Sequence, residues 1–312
     1  MEINDVLYVA AKYQELTDFL NDSLKLREYK ADVANCAKQK ISSFKGSYEK
    51  FTSRLNENER IVNVKNKDRL EMLAGIIDIG FEIFSIIKLR ENNTHIFKAC
   101  YGILVNSLKI VQEIFCLCSN GFSDGAFARW RSLFENYIVA KILIESDEET
   151  SEMFLGYETI IKQKRINEFN KISNENTIIF ISQYNTLIDK YGEDYSGFNG
   201  WLIKKFPNIK DRSFNKLAEY VNCKEWLFFY RIASDYLHSN AFSAFESTGK
   251  GDNMQIPMGP SDNGIEFPIN LTITIIVYLL TKLVEKFQGK NFMGLFLMDY
   301  LLKILSMVDA NK

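Results

Sequence analysis

The sequence predicts an all-α protein, a helical bundle, on three observations. Apolar residues recur at three- and four-residue spacings almost throughout, as a helix face requires. Sustained two-residue alternation, the mark of half-buried strands, is nearly absent. The four prolines are Pro207, Pro257, Pro260 and Pro268, so nothing in the first 206 residues forbids long helices.

The elements follow in order. Residues 1–66 read as an N-terminal helical hairpin or extension: the stretch to about Leu55 is charge-rich and thinly apolar, with a stripe at Leu16, Phe19, Leu20 and Leu24. Its end, LNENERIVNVKNKDR (residues 55–69), is polar and reads as a connector. Residues 67–312 form the denser bundle. Ile76, Ile79, Ile83, Ile86 and Ile87 predict a helix over 70–89, and further helices are expected over 96–118 and 124–144. SNGFSDG makes the turn between those two, with Ser123 or Asp124 as the N-cap. The acidic ESDEETSE suits the positive end of a helix over 152–172. Helices over 177–191, 213–221 and 224–245 come next. STGKGDNMQIPMGPSDNGIEFP holds three prolines and four glycines and predicts a long loop. Two apolar helices, 270–288 and 291–308, close the chain.

Composition narrows the function. With 24 Phe and 15 Tyr the chain can build a substantial packed interior. A net charge of −2 excludes a protein that binds polyanions through its overall field, so any nucleic-acid contact must be a local patch. Cys36, Cys100, Cys116, Cys118 and Cys223 are few and odd in number, and they sit in apolar helical sequence. They predict reduced core thiols in a cytoplasmic protein. The N-terminus carries acids early and no long apolar run, unlike a signal peptide. NLTITIIVYLL is too short for a bilayer and the other apolar stretches are broken by charges, so no membrane span is expected.

Two histidines cannot build a multi-histidine metal site, and no cofactor motif occurs: no Gly-rich phosphate loop, GxSxG or HExxH. His95 falls at a helix start, as a capping or surface residue. Asp78 and Glu82 are four apart, but no ExxH accompanies them as a di-iron bundle requires.

Two helices stand out. In YRIASDYLHSNAF, Arg231, Asp235 and His238 are spaced by four and three, which on a continuous helix puts them on one face, with Ser234 beside them. In FARWRSLFENYIVAKIL, apolar nearly all round, Arg131 and Glu135 share a sector with Ile138 and Ile142. Charges so flanked point inward and need partners, and Arg231, Asp235 and His238 are the expected ones. The same residues admit a bland reading, a satisfied network that performs no chemistry. Between Lys162 and Lys216, ten basic residues face six acidic ones. Lys162, Lys164, Arg165, Lys204 and Lys205 are the candidate RNA-binding patch, with a solvated helix face as the alternative.

YRIASDYLH has the Arg-x6-His form of HEPN domains, helical bundles that include many metal-independent endoribonucleases of bacterial defence and toxin systems. RSLFENY followed by YRIASDYLHS also resembles a bacterial family of unknown function with a buried RSLFE-type helix ahead of a Y…S…H helix, over roughly residues 70–288. The resemblance implies His238 as general acid/base and Arg231 on the scissile phosphate. Asp235 would orient His238, with Ser234, Arg131, Glu135 and Tyr230 in support. It implies attack by the RNA 2′-OH without metal, and a homodimer. A defence or toxin role also leaves room for an activating or neutralising partner protein.

Overall fold

The computed structural model describes residues 47–88, 94–173, 180–207, 211–238 and 259–288, together with Ala241, Asp299, Leu301 and Lys303. Among these there are eight α-helices, three short 3₁₀ turns and no strand. The protein is an all-α helical bundle. The helices are α1 (Ser47–Lys88), α2 (His95–Ser119), α3 (Ser123–Ile144), α4 (Glu148–Ser173), α5 (Ile181–Tyr191), α6 (Phe214–Tyr220), α7 (Leu227–Asp235) and α8 (Glu266–Gln288). The 3₁₀ turns are Glu193–Ser196, Gly200–Leu202 and Lys224–Trp226. The chain divides into two units, Met1–Leu55 and Asn56–Lys312. Residues 1–46, expected as a helical hairpin, lie outside the described residues, as do most of the long loop and of the expected helix 291–308.

α1 corrects the expected connector. Residues 55–69 are helical, interrupted only at Asn66, whose φ of −116° and ψ of 20° break the helical run. The stretch contains neither Gly nor Pro, and most of its polar residues are solvated on the helix; Asn66 is buried and its amide donates to the Val62 carbonyl at 3.4 Å. One apolar position per turn suffices to hold it: Val62, Leu70, Leu73, Ile76, Ile83 and Ile87 are buried. At Gly80 a Cβ would lie 2.3 Å from Leu108 Cδ2, so α1 approaches α2 closely there.

The core is built on α3, which packs against α2, α7 and α8. Its buried residues include Trp130, Leu133, Phe134, Tyr137, Ile138 and Ile142, so it is enclosed on nearly every side. Trp130 stacks on Phe134 with centroids 5.5 Å apart and planes 5° from parallel, and Trp226 lies 6.4 Å from both. The C-terminal carbonyls of α3, left without intrahelical partners, accept from Lys286 at Ile144 (2.8 Å) and Lys205 at Glu145 (3.0 Å). Lys141 ties the same helix to the end of α6 through the Val221 carbonyl at 2.6 Å.

Neither Ser123 nor Asp124 is the N-cap of α3; Phe122 is, without a side-chain cap bond. The turn is specified from the other side. Gly121 N–H donates to Cys118 O and Phe122 N–H to Leu117 O, the paired bonds of a Schellman motif, which leaves Gly121 at φ +84°. Its own carbonyl accepts from Ser261 N–H at 2.9 Å, and a Cβ there would stand 2.8 Å from Ser261 O. Gly121→Ala combines left-handed strain with a backbone clash. It is expected to cost more than about 1 kcal/mol in urea unfolding, and a loss of only a few tenths would contradict this account of the turn.

α4 begins a turn earlier than expected. Asp147 Oδ1 accepts from Thr150 N–H at 2.8 Å, which caps the helix and lowers the Asp147 pKa, while Glu148 and Glu149 fill the first turn. Glu148 also reaches the start of α2, accepting from His95 N–H and lying 3.0 Å from His95 Nδ1. α8 starts at Glu266, four residues before the expected boundary, because Pro268 sits in a first turn where its missing N–H costs nothing. α2 and α8 are therefore each long and apolar enough to cross a membrane, but 50% and 67% of their apolar windows are buried inside the bundle. They serve as core helices.

Candidate functional site

Arg131 and Glu135 project from α3 toward α7 and meet Tyr230. The Tyr230 hydroxyl accepts from Arg131 Nη2 at 2.7 Å and donates to Glu135 Oε1 at 2.7 Å. Arg131 and Glu135 also pair directly at 3.2 Å. The guanidinium carbon lies 4.7 Å from the Tyr230 ring centroid, and the ring stacks on Phe214 of α6 with centroids 4.4 Å apart. One phenol thus bonds a half-buried cation and anion together and locks α7 to α3 and α6, while Arg131 Nε stays buried without a hydrogen-bond partner.

The expected partners of Arg131 and Glu135 were Arg231, Asp235 and His238; Tyr230, one position earlier, supplies the bonds. One residue rotates a helix by about 100°, so a helix that turns Tyr230 inward turns Arg231 out. Arg231 is exposed. The signal for Tyr230 was available in part: a tyrosine on the buried side of an apolar helix brings a hydroxyl that needs a partner.

Burial and the Glu135 hydrogen bond push the Tyr230 phenol up to about 12, against the opposing pull of Arg131. A phenol raised in the folded state above its ordinary value near 10 stabilises the fold fully below pH 10, and that contribution is lost as the pH rises through 12. Melting curves across this alkaline window should fall less steeply for Tyr230→Phe than for wild type. Slope will remain, because burial also raises Tyr137 and Tyr195. At neutral pH the same substitution should cost about 1.5–3 kcal/mol, the worth of hydrogen bonds to charged groups. Identical alkaline profiles would show that Tyr230 is not a proton-holding member of the triad.

α7 ends at Asp235, not at 245. Tyr236 is its C-cap, and Leu237 N–H bonds back to Ser234 O at 3.0 Å, a tightened last turn. Arg231 and Asp235 keep their one-face relation, but His238 falls in the turn beyond the helix, where the seven-residue spacing no longer places it above Arg231. His238 is exposed and Asp235 half-buried. Ser234 Oγ donates to the Tyr230 carbonyl of its own helix at 2.8 Å, so its hydroxyl supports the backbone under the triad.

The basic patch is largely matched by α4's own acids and by carbonyls. Lys162 pairs with Glu158 at 2.7 Å, and Lys204 pairs with Glu149 and lies 5.5 Å from the Tyr191 ring centroid. Lys164 donates to Ser196 O and Lys205 to Glu145 O, with burial lowering the Lys205 pKa. Arg165 is exposed. Of the five patch cations, Lys162 and Lys204 are thus matched by acids, while the carbonyls that hold Lys164 and Lys205 leave their charge in place.

Cys100 and Cys118 are buried, with thiols pushed up to about 12 by desolvation, and Cys223 is buried as well. Cys116, expected in the core, is exposed, since two helical residues two apart point to opposite sides. Among the described residues no three His, Cys, Asp or Glu side chains cluster as metal ligands. Asp78 and Glu82 lie exposed on α1. A separate groove of about 490 Å³ on α2, lined by Lys109, Gln112, Glu113, Cys116 and Leu117, contains none of the candidate catalytic residues.

Residues 97–255 match a family of unknown function, DUF5677. The chain belongs to the DUF5677 family. The matched region runs from the first turn of α2 through α7, so it contains Arg131, Glu135, Tyr230, Arg231, Asp235 and His238 and leaves out α1 and α8. No curated protein and no solved structure gives a match. Within DUF5677, then, the helices that carry the triad and the Arg-x6-His stretch form the shared part of this chain.

Proposed function

We propose that this DUF5677 protein is a HEPN-like, metal-independent endoribonuclease of the cytoplasm, acting as a homodimer in phage defence or as a toxin. The observation that carries this reading is the division of labour on α7. Its inner side is held by Arg131, Glu135 and Tyr230, while Arg231 and His238 are presented to solvent at its outer side and end. That exposure leaves both side chains open to an incoming phosphate.

In the proposed reaction the RNA 2′-oxygen attacks the adjacent phosphorus and the bond from phosphorus to the 5′-oxygen breaks. A 2′,3′-cyclic phosphate and a 5′-hydroxyl result. His238 exchanges the proton, as a side chain type suited to acid and base work near neutrality. Arg231 grips the phosphate with its planar fork and offsets the charge that builds on it. Asp235, on the same helix, orients the imidazole. Lys164, Arg165 and the other patch lysines are left with at most auxiliary contacts to the RNA backbone.

The test is digestion of total bacterial RNA by the full chain in EDTA. Cyclic-phosphate ends are the expected product; intact RNA at micromolar protein would overturn the reading. A second reading, a non-catalytic module that binds a nucleotide or a protein partner, is favoured by the way Arg131, Glu135 and Tyr230 bond to one another across α3 and α7, as members of a structural network do.

A further inference from the structure

The outward face of α7 carries an aromatic ring that neither the fold nor the proposed reaction uses. Leu227, Tyr230 and Ala233 bury the inner face. Phe228 is 64% exposed, among the most exposed large apolar side chains of the described residues. It stands three residues before Arg231, which places the two side chains as neighbours on one helix face, about 5–6 Å apart at Cβ. The ring is nonetheless held. Its edge-to-face partner is Phe229, with centroids 5.5 Å apart, and Phe229 in turn lies 5.5 Å from Phe267, which contacts Phe127 beside Trp130. A chain of rings running back to the core therefore orients Phe228 while leaving it open to solvent.

Resting on the nuclease reading above, we propose that Phe228 is the stacking platform for an unpaired base next to the phosphate held by Arg231. A flat apolar ring beside a guanidinium matches the two halves of a nucleotide, base and phosphate. Bases within a duplex have both faces covered, so such a platform selects unpaired RNA, with little regard to which base it is. The charges around it also balance locally. Lys216 pairs with Glu219 at 2.9 Å, Lys224 adjoins Glu225, and Arg231 shares its face with Asp235. Stacking therefore supplies a large share of the affinity, and the salt dependence is that of about one or two phosphate contacts, a log–log slope near −1.

The experiment uses the full chain and a fluorescein-labelled 12-nucleotide single strand of mixed sequence, 2′-O-methylated so that no 2′-OH is available to attack. Phe228→Ala should weaken binding about tenfold, in line with the loss of one base stack. Phe228→Leu, which keeps the apolar bulk but not the ring, should weaken it comparably, and Phe228→Trp should restore it. All three should melt like wild type, because the side chain is exposed. Equal binding by wild type and Phe228→Ala would overturn the platform and leave the nuclease reading standing. A wild type that neither binds the oligomer nor cuts unmodified RNA would remove both. Sedimentation supplies the remaining control: a wild-type dimer turned monomer by Phe228→Ala would make the ring a contact between copies and overturn the proposal.

Discussion

His238→Ala is expected to lower RNA cleavage by a factor of about 10²–10⁴, the usual contribution of a positioned general acid or base. Its melting temperature should stay with that of wild type. The reason is positional. His238 lies in the turn after α7, exposed and outside the Arg131–Glu135–Tyr230 network. Surface substitutions of that kind usually change stability by no more than about 0.5 kcal/mol. Activity and fold therefore separate at this residue, and single-turnover cleavage with paired melting curves reads both. A variant that cuts as well as wild type would remove His238 from the chemistry. One that melts far lower would make the histidine structural and favour the non-catalytic module.

Trp130→Ala carries the largest expected effect on stability, about 3–5 kcal/mol. The side chain is fully buried, stacked on Phe134 and flanked by Phe127 and Trp226, so the cavity would open inside α3's aromatic cluster, against the 3₁₀ turn that leads into α7. In thermal unfolding this corresponds to roughly 10 °C. Trp130→Phe should cost much less. It keeps an aromatic stack and removes an indole N–H that has no hydrogen-bond partner, so part of the lost packing is offset by one fewer unsatisfied donor. If the two variants melted alike, packing around Trp130 would not be what holds this aromatic cluster together. Because Arg131 follows directly on the same helix, cleavage by Trp130→Ala should also fall at temperatures where the fold still survives.

Much of the architecture was legible from local pattern. Residues 96–118, 124–144 and 213–221 were expected as helices and are α2, α3 and α6 within a residue or two, because each is a single apolar face or an apolar cylinder with turn residues at its ends. The inward character of Arg131 and Glu135 was also readable, since charges within an apolar cylinder have few other places to go. The site's wiring was less legible. The break at Tyr236 leaves no local mark: YRIASDYLH has neither Gly nor Pro, and helical spacing continues through it. Lys204 looked unpaired in sequence because its carboxylate partner, Glu149, lies 55 residues away.

By itself, then, the sequence determined the class of fold, the position of most helices and the presence of a helix pair carrying charge in apolar surroundings. These depend on periodicity and on residues within one or two turns, which the chain states locally. Only the tertiary structure decided that Tyr230 closes the Arg131–Glu135 pair, that Arg231 faces solvent, and that Cys118 is buried while Cys116 is not. Each of these depends on the rotation of one helix about its axis against another, which contacts nearly a hundred residues apart in sequence set, as between Arg131 and Tyr230.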